Sequence, residues 1–403
     1  MKYAEYKDSS VDWIGKVPIH WNIMRGKFIV KVLPGYAFDS KKFTSDEGIS
    51  LIRIRDINNT STEMNYYGSF NEEYIVNTGD VLVGMDGDFN VAKWKGERAL
   101  LNQRVCKIVG TNIMLSSYMY YLLSRPLKLI NDVCYATTVK HLSTSDIENS
   151  LFPVPTIQEQ HAIVAYLNEK CNKIDGAIDV QKKKIDLLNE LKQTIITNAV
   201  TKGLNPNAPM KDSGVEWIGE IPEHWKIKRT RFLCNIQTGD KDTVNREDDG
   251  LYPFYVRSPK VERINTYSFD GEAVLMAGDG VGAGKVFHYA NGKFDYHQRV
   301  YNLHNFKDVS GLFFYYYILN KFRYIIEEGA AKNTVDSVRL NMIQDFWMTI
   351  PPVSEQQNIV KYIDGEISKI DSQIAKANQR IELLNELKQS VITEAVTGKI
   401  KVC

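Results

Sequence analysis

The amino-acid sequence predicts an α+β protein, with two pseudo-symmetric, mixed α/β domains separated by two long antiparallel helices that form a coiled coil. Three observations predict this architecture. The chain of 403 residues consists of two similar halves, and each half ends in a long amphipathic segment. The region between the repeated ends alternates short β-like runs with helical stretches.

Composition excludes several classes of protein. With 43% hydrophobic and 25% charged residues, the chain can fold two or more domains. Its 50 basic and 49 acidic residues leave a net charge of +1, so any contact with nucleic acid must come from local basic patches. Five scattered cysteines without a C-x-x-C pair argue against a disulfide framework or a metal site. Because no signal region or membrane-length apolar run is visible, we expect a cytoplasmic protein with no membrane contact.

The two halves share their ends. Residues 7–21 recur at 211–225 with ten of fifteen positions identical, and residues 159–201 recur at 355–397 with 22 of 43 identical. A period of about 200 residues in two copies indicates a pseudo-symmetric pair of modules, which usually serves a two-fold partner. The predicted parts are a domain at 1–156, a long helix at 157–201, a linker at 202–210, a second domain at 211–352 and a second long helix at 353–398.

Each repeated tail is predicted to be one long helix. Apolar residues follow steps of three, four and seven along both tails, which gives one narrow stripe, and about forty residues span roughly 60 Å. We expect the helices to pair in antiparallel fashion as a spacer between the domains. The residues assigned to helix pairing and partner docking are Ile174, Ile178, Ile185, Leu188, Leu191, Ile370, Ile374, Ile381, Leu384 and Leu387. The LLNELKQ segment, present at 187–193 and 383–389, offers a partner two equivalent places to bind. The alternative is a simple coiled coil that binds nothing.

The divergent middles read as mixed α/β modules. β-like runs at 79–85, 272–278 and 285–290 accompany one predicted helix in each half, at 116–129 and 312–326. Aromatic and apolar stripes on these helices are interpreted as core, with a base-stacking platform as the alternative. The stripes are Tyr118, Tyr121 and Leu122 in the first half, and Phe314, Tyr317 and Ile318 in the second.

No catalytic motif is visible. The glycine-rich run GDGVGAGK at 278–285 fits a dinucleotide-loop spacing, but a β-like segment follows it where a phosphate-binding loop needs a helix. We therefore expect a tight, hairpin-like loop there. His20 and His224 occupy matching P-x-H-W contexts and read as packed or capping residues, and the nearby tryptophans read as packing anchors.

Basic residues recur in the loops of both middles beside amide side chains. Arg can bind guanine and Gln can bind adenine through two hydrogen bonds, whereas Lys more often holds phosphate. Gln103 and Arg104 in one half match Gln298 and Arg299 in the other, so a structural role for them is also open. The candidate DNA-binding residues are Arg53, Arg55, Lys93, Lys95, Arg104, Lys140, Arg257, Lys260, Arg263, Lys285, Arg299, Lys332 and Arg339. For each of them, a solvated surface charge is the competing interpretation.

Three motifs, each present twice and in order, resemble the specificity subunit of type I restriction-modification systems over essentially the whole chain. They are W-I-G-x-[VI]-P-x-H-W from Trp13 and Trp217, P-x-x-x-E-Q-x-x-I-V from Pro155 and Pro351, and LLNELKQ from Leu187 and Leu383.

The resemblance implies a non-catalytic subunit that reads double-stranded DNA. Each of two target-recognition domains would read one half of a bipartite, asymmetric site, and the helices would set the spacer between the half-sites. It further implies two modification subunits that carry S-adenosylmethionine, and motor-nuclease subunits that use ATP and Mg²⁺, while this chain binds no cofactor. Two other hypotheses stay open: a single-chain enzyme with its own activity, and a coiled-coil scaffold whose two heads bind proteins.

Overall fold

The computed structural model describes residues 2–133, 140–330 and 337–402 and divides the chain into two compact units. The first unit comprises residues 1–180 and 379–403, and the second comprises residues 181–378. Each unit therefore combines one repeated head, one variable middle, the start of its own long helix and the end of the other long helix.

The first unit is built from short strands around two sheets. Its strands are β1 (Tyr6–Asp8), β2 (Lys16–Pro18), β3 (Asn22–Arg25), β4 (Val30–Pro34), β5 (Phe43–Thr44), β6 (Ile49–Ile52), β7 (Asn65–Tyr66), β8 (Ile75–Val76), β9 (Val81–Gly84), β10 (Val91–Lys93), β11 (Ala99–Leu101), β12 (Val105–Gly110) and β13 (Leu151–Val154). Its helices are α1 (Ser116–Val133), α2 (Thr144–Asn149) and the start of α3 (Ile157–Lys202). One sheet has the order β10-β9-β12-β4 and the other β5-β7-β6-β11-β8, while β1 pairs with β2 and β3 with β13.

The second unit repeats this plan with longer strands. Its strands are β14 (Met210–Asp212), β15 (Glu220–Pro222), β16 (Lys226–Arg229), β17 (Asn235–Thr238), β18 (Tyr252–Tyr255), β19 (Glu262–Ile264), β20 (Phe269–Ala277), β21 (Phe287–Tyr296), β22 (Val300–His304) and β23 (Trp347–Ile350). Its helices are α4 (Gly311–Lys321), α5 (Arg323–Ala330), α6 (Leu340–Gln344) and the start of α7 (Val353–Val396). The main sheet has the order β17-β22-β20-β21-β18-β19.

The two middles share one topology although their sequences have diverged. In the second unit, β21 pairs antiparallel with β20 and parallel with β18. In the first unit the same partners are divided between shorter strands, because β10 pairs with β9 while β11 pairs antiparallel with β8 and parallel with β6. One long hairpin thus corresponds to two short ones, and the predicted pseudo-symmetry is confirmed in the middles as well as at the ends.

Both long helices are confirmed, and they pair in antiparallel fashion within each unit. In the first unit Lys388 Nζ lies 2.7 Å from Asp175 Oδ1, and in the second Lys192 Nζ lies 2.9 Å from Asp371 Oδ1. The two ion pairs are equivalent by the repeat. Ile392, Ala395 and Val396, near the end of α7, join the first unit's core, and Ile196, Ala199 and Val200, near the end of α3, join the second unit's core.

The helices of the middles differ from the prediction. The predicted helix at 312–326 is divided into α4 and α5 by a break at Phe322, whose buried ring packs against Phe287 and Phe346. The expectation of one helix in each middle is wrong, because α2 and α6 form as well. Helices of six and five residues are too short to show a helical period in sequence.

The aromatic stripes belong to the core, as predicted. All six side chains are buried, which removes the base-stacking alternative. Relative to the repeat of the long helices, the two stripes correspond with an offset of one residue. Tyr121 hydrogen-bonds Asn168, and Tyr316, rather than Tyr317, makes the corresponding bond to Asp364. Of the five cysteines, Cys106, Cys171 and Cys234 are buried and form no disulfide, while Cys134 and Cys403 lie outside the described residues.

A buried glutamine joins each long helix to the module before it. The Gln160 side chain accepts the Leu115 N–H at 2.8 Å and donates to the carbonyl oxygens of Ile113 and Pro155 at 2.8 and 3.0 Å. Gln356 makes the same three bonds in the second unit, to Ser310, Asp308 and Pro351. Both glutamines are fully buried, and each satisfies three backbone groups at the junction between helix and module.

Replacing Gln160 with alanine therefore leaves the Leu115 N–H and the carbonyl groups of Ile113 and Pro155 without this partner. We expect Gln160→Ala to lower the free energy of unfolding by about 1–3 kcal/mol, measured by urea denaturation. Gln158→Ala is the matched control, because Gln158 is exposed and lies two residues before Gln160 on the same helix. Equal stability of the two variants would contradict the assignment.

Candidate functional site

An acidic residue, Asp86, contacts basic side chains at one end of the first unit's four-stranded sheet. Asp86 follows β9, Arg104 lies in the turn between β11 and β12, and His141 precedes α2. Arg104 Nη1 is 3.1 Å from Asp86 Oδ2, and His141 Nδ1 is 2.8 Å from Asp86 Oδ1. We call these three residues the Asp86 cluster. The Arg104 side chain remains 55% exposed, so it can contact a ligand while Asp86 orients it.

The second unit carries a matching group, the Asp279 cluster, formed by Asp279, Arg257 and Arg299. Asp279 follows β20, Arg299 lies between β21 and β22, and Arg257 follows β18. Arg257 Nη1 is 2.9 Å from Asp279 Oδ1, and Arg299 Nε is 3.6 Å from Asp279 Oδ2. Two guanidinium groups around one carboxylate leave a net positive, partly exposed surface, which is suited to an anionic or base-edge ligand.

The two clusters are equivalent in backbone as well as in side chains. Asp86 forms an isolated antiparallel bridge with His141, and Asp279 forms one with Ser337. The next residue in each loop is a glycine with positive φ, +75° at Gly87 and +70° at Gly280. Only glycine adopts this conformation without strain, so the D-G pair fixes the turn that presents each aspartate.

Gln298 and His297 extend the second cluster. Gln298 Nε2 donates to Asp242 Oδ2 at 2.8 Å, and the Arg299 backbone N–H donates to His297 Nδ1 at 2.9 Å. His297 is 2% exposed. Its burial, together with the nearby Arg257 charge, lowers the pKa of His297, although Asp242 acts in the opposite direction. The ring is therefore neutral at physiological pH, as its role as an acceptor from Arg299 requires.

Other predicted arginines have structural partners away from these clusters. Arg53 Nη2 is 2.7 Å and Arg55 Nη1 is 3.4 Å from Glu63 Oε2, which ties both to one loop. Arg263 donates to the carbonyl oxygens of Gly250 and Leu251 and so closes the turn before β18. Arg55 is more exposed than Arg53, with 63% of its side chain accessible against 22%.

The lysine candidates are dispersed. Lys93 Nζ lies 4.6 Å from the Tyr120 ring centre, in a cleft of about 660 Å³ that Lys95 also lines, and burial lowers the pKa of Lys93. Lys140 donates to the Asn131 carbonyl and side-chain oxygens at 3.1 and 2.6 Å. The remaining candidates are placed as follows: Lys260 is 3.5 Å from Glu262, Lys285 is exposed, Arg339 caps α6 and Lys332 lies outside the described residues.

The helix-pairing candidates fall into two groups. Ile174, Ile178, Leu188 and Ile370 are buried, and Ile185, Ile374, Ile381 and Leu384 are half-buried. Leu191 and Leu387 are instead 47% and 49% exposed, beside Leu187 and Leu383 at 64% and 56%. The repeated LLNELKQ segments therefore present two equivalent pairs of exposed leucines that the pairing of the helices does not use.

Sequence reasoning missed Asp86 and Asp279, although they organise both clusters. The signal was present, because M-D-G at 85–87 and G-D-G at 278–280 follow equivalent strands in the two halves. The glycine-rich run at 278–285 connects β20 to β21 as an antiparallel hairpin, which confirms the predicted loop. Among the described residues, no group of three His, Cys, Asp or Glu side chains could hold a metal ion. Within the same ranges, no helix is long and apolar enough to cross a membrane.

Comparison with known proteins identifies the family. A family model described as the type I restriction modification DNA specificity domain matches residues 18–193 and 222–385. The type I restriction enzyme EcoBI specificity subunit of Escherichia coli is 34% identical over 247 residues, which cover 56% of this chain and 51% of that protein. The chain thus spans about half the length of this relative.

Two further likenesses extend over nearly the whole chain. The putative type I restriction enzyme MjaX specificity subunit of Methanocaldococcus jannaschii is 23% identical, with 96% of each chain covered. A solved chain, from a study of complex assembly and conformational transition of the type I R-M system, aligns with a TM-score of 0.70 and 17% identity over 95% of this chain and 99% of that one. At that identity, the structural likeness concerns the fold.

The hydrogen bond to His297 Nδ1 generates a pH prediction. Since the pKa of His297 is lowered in the folded state, protonation favours the unfolded state, and stability falls as pH drops below about 6.5. Imidazole nitrogen NMR shifts at pH 6.5 should show a ring that is mostly unprotonated. His297→Asn, which installs the residue found at the equivalent Asn102, should weaken the pH dependence below 6.5. A ring that is mostly protonated at pH 6.5 would contradict the assignment.

Proposed function

This chain belongs to the type I restriction modification DNA specificity family, and from that premise we propose that it selects the DNA site of a type I restriction-modification complex. Each unit reads one half of a bipartite, asymmetric sequence in double-stranded DNA. The observation that carries the proposal is the presence of the Asp86 and Asp279 clusters at equivalent places in two units whose surrounding side chains differ.

The differences between the clusters suit two readers with different targets. Arg104 and Arg299 are shared, but His141 contacts the aspartate in the first unit where Arg257 does so in the second. Tyr36 and Lys241 also occupy equivalent bridge positions beside the clusters. In DNA recognition, arginines that a carboxylate orients can make bidentate bonds to guanine, and lysines hold phosphates and set the register.

The chain acts in this proposal without chemistry of its own. S-adenosylmethionine belongs to the modification subunit, and ATP with Mg²⁺ belongs to the motor-nuclease subunit. The glycine-rich loop at 278–285 leads into a strand, whereas a phosphate-binding loop needs a helix at that place. The long helices, of 46 and 44 residues, set the spacer between the half-sites.

The exposed leucines of the LLNELKQ segments supply two equivalent docking places for two modification subunits. An exposed leucine pair repeated at the same register in both helices has no role in the pairing of the helices described above. Apolar side chains ringed by Lys and Glu on a helix surface are typical of helix-in-groove or helix-bundle docking.

The test of the proposal is to co-express the chain with the modification subunit of the same system and to map N6-methyladenine across a genome. A two-part motif with a fixed non-specific spacer, present only when this chain is expressed, is the expected result. The absence of any motif, from a complex shown to be assembled, would favour the scaffold hypothesis.

Arg299→Ala should weaken the selection of one half-site only. Loss of a bidentate base contact costs about 1–3 kcal/mol, or roughly five- to 150-fold in preference at the contacted base pair. Arg104→Ala should act on the other half-site. Methylation of a library with randomised half-sites measures both effects, and Arg380→Ala, an exposed arginine on α7, is the control. Equal loss at both half-sites would contradict two independent readers.

Leu187→Glu with Leu191→Glu should remove one of two bound modification subunits, because a buried charge prevents apolar docking. Leu383→Glu with Leu387→Glu should remove the other. Native mass spectrometry counts the copies. The matched control is Asn189→Glu with Asn385→Glu, since both asparagines are exposed on the same segments and lie about 160° around the helix from the leucines. Two copies retained by both leucine variants would exclude this docking surface.

A further inference from the structure

Each unit presents a phenylalanine to solvent from the same short turn. A 3₁₀ turn at Gly26–Phe28 follows β3, and another at Thr230–Phe232 follows β16. Phe28 is 59% exposed and Phe232 is 64% exposed. Single exposed apolar residues are ordinary on protein surfaces, but an exposed phenylalanine at the same place in both units needs an explanation.

The turns hold these rings rigidly. In each turn the first residue and the residue after the phenylalanine are buried: Gly26 and Ile29 in one, Thr230 and Leu233 in the other. Gly26 N donates to the Ser150 carbonyl at 2.9 Å, and a Cβ at Gly26 would collide with the Ile147 carbonyl of α2.

Thr230 anchors the second turn in a corresponding way. Its N–H and hydroxyl both donate to the Phe346 carbonyl, at 2.9 and 3.1 Å. The phenylalanines are therefore exposed on fixed backbone, and a partner that binds them has little ordering entropy to overcome.

Basic residues lie close to both phenylalanines in the sequence. Lys27 Nζ lies 5.0 Å from the Phe28 ring centre, and Arg25 is exposed beside it. In the second unit Arg229 and Arg231 lie three residues and one residue before Phe232 in the sequence, and both contact Asp345, which offsets one of their two charges. Each surface therefore combines one exposed aromatic side chain with a net positive charge, which complements an apolar pocket with carboxylates at its rim.

The Phe28 and Phe232 turns lie at one end of β4 and β17, and the Asp86 and Asp279 clusters lie at the other end. β4 begins two residues after Phe28 and ends at Pro34, beside the Tyr36–Asn102 bridge that leads to Arg104. Five residues of strand span about 17 Å. β17 separates Phe232 from Lys241 and the Asp279 cluster in the same way. DNA bound by the Asp86 and Asp279 clusters would therefore lie at the opposite end of β4 and β17 from Phe28 and Phe232.

The internal repeat indicates which kind of partner is involved. Arg25 and Phe28 are identical to Arg229 and Phe232, although the intervening residues differ. Residues that read two different half-sites must differ between the units, whereas exposed residues that both units keep serve something that both units share. One protein that binds once to each unit meets this condition.

We propose that the Phe28 and Phe232 turns are two equivalent docking sites for one protein partner, which presents an apolar pocket rimmed by carboxylates and binds one copy to each unit. The identity of this partner rests on the proposed function, in which the protein that binds this chain twice is the modification subunit. These sites add to the leucine surfaces of the helices and anchor the partner to the recognition units themselves.

The test measures binding of the purified modification subunit to the full chain without DNA, by mass photometry and titration calorimetry. Phe28→Ala and Phe232→Ala should each weaken one of the two binding events at least tenfold, and the double variant should weaken both. Tyr67→Ala is the control, because Tyr67 is 58% exposed in the first unit and should leave binding unchanged. Unchanged unfolding midpoints in urea verify that the variants fold.

Charge reversal provides a second test. Lys27→Glu should weaken binding to the first unit and make it less sensitive to salt, since it replaces an attraction with a repulsion. Partner affinity within twofold of wild type in the double phenylalanine variant would overturn the proposal. So would a loss of DNA affinity in that variant with partner affinity retained, which would identify a nucleic-acid surface. If the wild-type chain binds no modification subunit, the proposed function and the docking sites both fail.

Discussion

The Glu-Gln pair at the start of each long helix, in which both glutamines are buried, makes the contacts on which the architecture depends. Burial alone would raise the pKa of Glu159, but hydrogen bonds from His20, Trp21 and Thr156 outweigh it and lower the pKa to about 2. The carboxylate therefore stays charged and joins the head motif to the helix, while Gln160 joins the helix to the middle. His224 and Glu355 repeat the contact at 2.8 Å in the second unit. The head and tail motifs recur together because they form one junction.

That junction lets the middles vary. The sheet between head and tail can lengthen its strands, as β20 and β21 do, without disturbing the helix that follows. The chain thus separates two kinds of surface. Arginine clusters with different neighbours suit different DNA half-sites, and exposed leucines and phenylalanines that both units keep suit one partner bound twice. A pseudo-symmetric protein can in this way match an asymmetric sequence to a symmetric pair of partners.

The repeat and the helical period were readable in the sequence because both are regular over tens of residues. The tyrosine stripes were also assigned correctly to the core. The short helices α2 and α6 were not predicted, because one turn and a half carries no period. Leu191 and Leu387 fit the apolar stripe of each helix but lie outside the surface where the two helices pack. The stripe is wider than that surface, so residues at its edge remain exposed. Asp86 and Asp279 are not predictable as site residues from positive charge in the sequence, because their role depends on contacts that only the folded chain creates.

The central claim is that each unit reads its own half of the DNA site, and a module exchange tests it most directly. Residues 211–352 would be replaced by the corresponding segment of a family member with a different target, and methylated sites would be mapped in the assembled complex. The account predicts that one half-site changes, while the other half-site and the spacer length stay the same. A simultaneous change in both half-sites would contradict the account, because it would show that the two units read DNA as one surface.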